Sequence, residues 1–260
     1  MGGVPRPGLR LRARPHAPGA VSRPAVLVVE HDLECPPAWV GTWLVEAGCD
    51  LDVRRPYAGD ELPGLAAYDG LLVLGGPMGA NDDDRHAWLA PVKELLREAR
   101  DRALPTLGIC LGHQLIAVAY GGTVERNPRG QQVGLLGVGW TDAAADDRLF
   151  GPLATPRRGV QWNDDVVTAL PPGAVLLAAT GNGEVQAVRY APTVWGVQLH
   201  PEVDVPVLRP WAESDRGSHE TRGIDTDAVL RDIDAARAEL DDAWRPLAAG
   251  FAALTQRPAR

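Results

Sequence analysis

The stretch Pro105-Thr106-Leu107-Gly108-Ile109-Cys110-Leu111-Gly112-His113-Gln114 decides the fold. Its first half is short, apolar and β-branched, the texture of a strand buried on both faces, and helix returns directly after Cys110. Toward the N-terminus the same alternation repeats. Ala25-Val26-Leu27-Val28-Val29 reads as a first buried strand, and residues 37 to 47 read as a helix with Trp39, Val40, Trp43 and Leu44 at helical spacing, stopping at Gly48. Leu51-Asp52-Val53 is a second strand, and Tyr68-Asp69-Gly70-Leu71-Leu72-Val73-Leu74 a third, delivering the chain into Gly75-Gly76-Pro77-Met78-Gly79. Residues 86 to 102 form an amphipathic helix through Trp88, Leu89, Val92, Leu95 and Leu96. Such alternation predicts an α/β fold with a doubly wound, mostly parallel central sheet flanked by helices, whose active site lies outside the carboxyl ends of the strands.

Toward the C-terminus the texture changes. From Gly134 to Val197 short strands are separated by Gly, Pro and Asp, with Val175-Leu176-Leu177, Gln186-Ala187-Val188-Arg189 and Trp195-Gly196-Val197-Gln198-Leu199 as candidates, which predicts a small antiparallel extension of the sheet. Beyond it the spacing of Val229, Ile233, Ala236, Leu240 and Trp244 predicts a helix over 226–244, which Pro246 should kink or end. The organisation expected is a disordered Arg/Pro/Gly-rich leader over 1–24, a catalytic domain over 25–205 and a C-terminal helical extension over 206–260 that packs on the domain.

Composition narrows the function classes. With 45% hydrophobic and 23% charged residues the chain is an ordinary globular sequence, and no apolar run approaches the ~20 residues of a membrane span. A net charge of −8 argues against a nucleic-acid partner, because the one dense basic stretch, Arg6 to Arg23, lies in the leader. That leader lacks the continuous apolar segment of a secretory signal, and its Pro and Gly content disfavours the amphipathic helix of a transit peptide. Three cysteines, Cys35, Cys49 and Cys110, are an odd number that suits a reducing cytoplasm better than a disulfide framework, with Cys35 and Cys49 read as inert thiols.

Cys110 is the exception. Gly108-Ile109-Cys110-Leu111-Gly112 has the G-x-C-x-G form of a nucleophile elbow, where small residues on either side permit a tight strand-to-helix turn that presents the thiol outward. At a helix N-terminus the sulfur meets the positive end of the dipole and unpaired backbone N–H groups, which stabilise a thiolate. A thiol needs a base, and Trp195-Gly196-Val197-Gln198-Leu199-His200-Pro201-Glu202 places a histidine just past a strand end, with a carboxylate two residues later able to hold the imidazole in the proton-accepting tautomer. Cys110, His200 and Glu202 are the candidate catalytic triad. A tetrahedral intermediate also needs two converging N–H donors, for which Gly76 and Leu111 are the candidates.

Three blocks in this order resemble class I glutamine amidotransferases, the glutaminase domains with a Cys-His-Glu triad: Gly75-Gly76-Pro77-Met78-Gly79, then Thr106 through Gln114, then Gly196 through Glu202. The resemblance covers about residues 25 to 205 and implies a flavodoxin-like fold. It also implies that Gln114 contacts the substrate glutamine, with Gly75, Gln131 and Gln132 as further substrate-binding candidates. Around Gln161-Trp162-Asn163-Asp164-Asp165 many relatives carry His where Asn163 stands, a departure that bears on the pocket and leaves the triad untouched.

The chemistry so read is attack on a γ-glutamyl amide without cofactor or metal. Three functions fit it. In the first, glutamine is hydrolysed through a thioester on Cys110 and ammonia passes to a separate synthetase or acceptor protein, since the sequence shows no P-loop or synthetase domain. The second is a γ-glutamyl hydrolase or peptidase using the same thioester, and the third is a module that keeps the fold for regulation without catalysis.

Overall fold

The computed structural model describes residues 23–256. Along the chain, β1 (Ala25–Val29) leads to α1 (Ala38–Glu46), β2 (Asp50–Arg54), β3 (Gly70–Val73), α2 (Leu89–Asp101), β4 (Thr106–Ile109) and α3 (Leu111–Ala119). Eight strands follow: β5 (Thr123–Arg126), β6 (Gln132–Gly137), β7 (Gly139–Trp140), β8 (Arg158–Asn163), β9 (Asp165–Ala169), β10 (Val175–Ala179), β11 (Val185–Ala191) and β12 (Val194–Val197). Three helices, α4 (Val205–Thr221), α5 (Thr226–Ala235) and α6 (Arg237–Thr255), close the described chain.

The central sheet has the order β2-β1-β3-β4-β12-β11-β10-β7. Its first five strands are parallel, the flavodoxin-like arrangement, and β11, β10 and β7 extend it antiparallel. Period-two alternation within single strands explains the two covered faces. Val26 and Val28 enter one apolar cluster with Trp43 and Leu44 of α1 and Trp244 and Phe251 of α6, while Leu27 and Val29 enter another with Leu89, Val92 and Leu96 of α2 and Leu115 and Ile116 of α3. Each such fully buried side chain contributes about 1.5–3 kcal/mol relative to exposure.

The expected antiparallel extension is present, but not all of its strands join the main sheet. β5 pairs with β9, and β6 with β8, in separate two-stranded ladders. The C-terminal segment departs further from expectation. The helix read over 226–244 is broken at Ala236, whose ψ of 5° leaves the helical region, and α6 then runs through Pro246 to Thr255. Pro246 lies on the exposed side while Leu240, Trp244, Leu247 and Phe251 are buried, so the carbonyl it leaves unpaired faces solvent and core packing carries the helix past it.

α4 falls almost wholly within the helical extension expected over 206–260, but the sequence reading gave it no bounds of its own. Its start carries the expected signals, Asp204 capping the Val207 N–H and Pro206 in the first turn, and Pro210 inside the helix masks them. The leader read over 1–24 lies outside the described residues except for Arg23 and Pro24. Arg23 is not free: its guanidinium donates to the carbonyls of Val45, Gly48 and Cys49 at the end of α1. Among the described residues no helix is long and apolar enough to cross a membrane.

Candidate active site

Cys110 occupies the turn between β4 and α3 with φ 49° and ψ −106°, in the left-handed half of the map that a side chain adopts at a cost of about 1–3 kcal/mol. Its surroundings hold it there. The Cys110 N–H donates to the Val197 carbonyl at 2.8 Å, tying the elbow to β12, and its carbonyl accepts from the Gln114 N–H at 3.0 Å. The two flanking glycines answer a close approach of backbones. A Cβ on Gly108 would lie 2.6 Å from the Gly112 carbonyl, and one on Gly112 only 2.1 Å from the Val73 carbonyl oxygen.

His200 follows β12 and is fixed by its own backbone, whose N–H donates to the Val160 carbonyl of β8 at 2.8 Å. Its Nδ1 lies 2.7 Å from Glu202 Oε1, and both residues are 3% exposed. Burial alone would lower the imidazole pKa, but the negative charges of Glu202 and Cys110 outweigh it and carry the value up to about 10. Nε2, the other ring nitrogen, has no hydrogen-bond partner among the described residues. Cys110 and His200 flank Gly75: an atom at its Cβ would stand 3.2 Å from His200 Cε1 and 3.6 Å from Cys110 Cβ, so any side chain there would wedge the two apart. The Trp211 ring packs edge-on against the imidazole at 4.9 Å, and its indole N–H donates to the Glu34 carbonyl at 2.9 Å, closing α4 over the site.

Gly76 approaches the elbow from β3. A Cβ there would sit 3.0 Å from Leu111 Cδ2, and neither the Gly76 nor the Leu111 N–H is hydrogen-bonded among the described residues; Gly76 lines the cavity at the elbow, whereas Leu111 is buried and does not. Cys110, His200, Gly76 and Gln114 share a cavity of about 470 Å³, within the range of small-molecule sites. Carboxylates of Asp32, Glu34, Asp82, Asp164, Asp165 and Asp215 line it against the single guanidinium of Arg126.

Residues 39–208 match the family described as Glutamine amidotransferase class-I. The chain belongs to that family. It is 32% identical over 146 residues to gamma-glutamyl peptidase 5 of Arabidopsis thaliana, a match covering 55% of this chain and 57% of the plant protein, little more than half of that relative's length. It is 33% identical over 161 residues to the glutamine-hydrolyzing GMP synthase subunit of Saccharolobus solfataricus, covering 60% of this chain and 78% of that protein. Among solved structures, a glutamine amidotransferase from Methylobacillus flagellatus superimposes with a TM-score of 0.81 at 26% identity, covering 92% of this chain and 98% of the other.

The remaining candidates divide. Gln114 is on the cavity, yet both of its N–H groups are engaged, with the Asp165 carbonyl at 3.0 Å and Gln198 Oε1 at 3.2 Å, so only Oε1 can face a ligand. Gln131 also lines the cavity and is tied down by α4, donating to Asp215 and accepting from His219 and Arg222. Gly75 and Gln132, read as substrate-binding, do not line it. Gly75 is buried beneath the Cys110–His200 pair, and Gln132 accepts from Asn163 at 3.2 Å and Gln186 at 3.3 Å in a buried amide network behind the wall. Asn163 itself is on the wall.

Several lining residues escaped the sequence reading. Trp211, Ser214 and Asp215 come from α4, and Asp32, Glu34 and Cys35 from the loop after β1. Cys35 shares the cavity with Cys110, but burial and then the charge of Asp32 push its thiol pKa up and keep it protonated, in keeping with an inert thiol. Gln198 had a legible signal: a polar side chain inside the apolar run from Trp195 to Leu199 needs a buried partner.

Proposed function

We propose that this protein hydrolyses the side-chain amide of glutamine through a γ-glutamyl thioester on Cys110 and passes ammonia to a separate acceptor. The observation that carries the reading is a strained elbow thiol and His200 on one cavity, with Glu202 buried behind the imidazole and the unpaired Gly76 N–H on the same wall. The raised pKa of His200 favours the imidazolium. Cys110 attacks the amide carbon, and the Gly76 and Leu111 N–H groups receive the oxyanion. His200 then protonates the departing ammonia, and returns as base to draw a proton from the water that releases glutamate. The kinship to a GMP synthase subunit supports delivery of ammonia to a partner synthetase.

A second reading, a γ-glutamyl peptidase with the same thioester, is favoured by the similarity to the plant peptidase and by a carboxylate-rich cavity able to take an amine-bearing leaving group. Incubating the purified chain with glutamine and with γ-glutamyl dipeptides, and measuring ammonia and glutamate separately, decides between them. Dipeptide cleavage with negligible ammonia release from glutamine would sink the first reading.

The charge of Glu202 also predicts a pH response. A folded-state pKa raised to about 10 keeps the His200 proton in place below that pH, so kcat/KM is expected to fall as pH rises through about 10. Glu202→Gln removes the strongest raising charge and leaves Cys110 alone to oppose burial. The alkaline limb should then move down by roughly one to three units. A folded Glu202→Gln protein whose alkaline limb stays at the wild-type pH would show that Glu202 does not set the imidazole.

A further inference from the structure

A backbone carbonyl cannot turn over, and that of Asp165 polarises the amides around it. It accepts from Gln114 Nε2 at 3.0 Å and from Asn163 Nδ2 at 3.1 Å. Gln114 must therefore keep its N–H groups inward, and the second of them donates to Gln198 Oε1 at 3.2 Å. With its oxygen turned to Gln114, Gln198 directs its own N–H at Cys110 Sγ, 3.5 Å away. Reversing Gln198 would set two NH₂ groups against each other, and reversing Gln114 would set its oxygen against the Asp165 carbonyl. Gln114 is 4% exposed, Asn163 5% and Gln198 0%, so a wrongly turned amide would be left without a partner in a water-poor setting, at a cost of about 1–3 kcal/mol.

We propose that Gln198 is the donor that holds the Cys110 sulfur as a thiolate, and that the Asp165 carbonyl fixes its orientation through Gln114. Gln114 is thus a positioning residue for the nucleophile as well as part of the cavity wall. The inference rests on Cys110 being the nucleophile proposed above. It adds that the protein supplies a side-chain donor to the resting sulfur, besides the helix N-terminus and His200, and that this donor is aimed from beneath the substrate site.

The test reads the sulfur without any substrate, so it does not depend on whether glutamine or a peptide is turned over. Iodoacetamide alkylation of Cys110 is followed from pH 5 to 10, with the Cys110 peptide quantified by mass spectrometry because Cys35 lines the same cavity. Gln198→Met keeps the volume and removes the donor. Gln114→Met leaves Gln198 in place and adds no charge near the sulfur, but it cannot donate to the Asp165 carbonyl or to Gln198 Oε1, so Gln198 loses the contact that orients it and is expected to turn its oxygen toward the sulfur. Both variants should alkylate about tenfold more slowly at neutral pH, with the midpoint of the profile displaced upward by about one unit. Gln114→Met, uncharged and of similar volume, decides the matter if Gln198→Met fails to fold by thermal melt. A wild-type midpoint in either folded variant overturns the proposal.

Discussion

The Cys110→Ala protein is expected to lose turnover of every γ-glutamyl substrate by at least about 10⁴-fold, because the other cavity thiol, Cys35, is kept protonated by burial and lies off the elbow, and the remaining donors only stabilise an attack that has no nucleophile. Ammonia and glutamate release under substrate saturation, with the enzyme in large excess over any contaminant, measures it. Retained turnover would refute the mechanism. The same position makes a second, thermodynamic statement. At φ 49° and ψ −106° a side chain is strained whatever its chemistry, so Cys110→Gly should be more stable than Cys110→Ala by about 1 kcal/mol in urea unfolding. That reverses the usual order of the two residues. Loss of activity together with this reversal would show that the chain accepts strain at Cys110 in order to expose the sulfur.

The elements most legible in the sequence were those whose side chains face apolar neighbours on both sides. β1, β3 and β4 are continuous apolar runs because helices cover the sheet above and below, and the elbow glycines declare a backbone contact that no other residue type allows. His200 and Glu202 were legible because they lie two residues apart, so local spacing is enough to pair them. What the sequence hid depends on distant packing. α4 carries Pro210 and a mixed polar face, and only its tertiary position brings Trp211 to 4.9 Å from His200. Gln132 was misplaced for a related reason: it neighbours Gln131 in sequence, but Gln131 stands before β6 with its amide on the cavity, while Gln132 opens the strand with its amide in the buried network.

Gly112→Ala is the stability counterpart of the Cys110 prediction, and its effect should reach both folding and catalysis. An added Cβ would stand 2.1 Å from the Val73 carbonyl oxygen and 2.7 Å from its carbon, both backbone atoms that no side-chain rotation can move aside. Either α3 lifts from β3 or the strand bends, and the Gly112 N–H bond to the Leu74 carbonyl at 3.1 Å is strained in both cases. Overpacking of this kind costs about 3 kcal/mol, enough to lower Tm by roughly 5–10 °C in a domain of this size. Helix propensity works in the opposite direction, by up to about 1 kcal/mol, so a control is needed. A Cβ added to Gly217 in α4 would meet nothing within 4 Å, and Gly217→Ala should therefore stabilise where Gly112→Ala destabilises. Because Leu111 and Cys110 ride on the same turn, lifting α3 also draws the Leu111 N–H away from Gly76, and kcat should fall well before the fold is lost at assay temperature. A Gly112→Ala protein as stable and as active as the wild type would mean that the elbow is not held by the contact between α3 and β3, and that the strain at Cys110 is fixed from the β12 side alone.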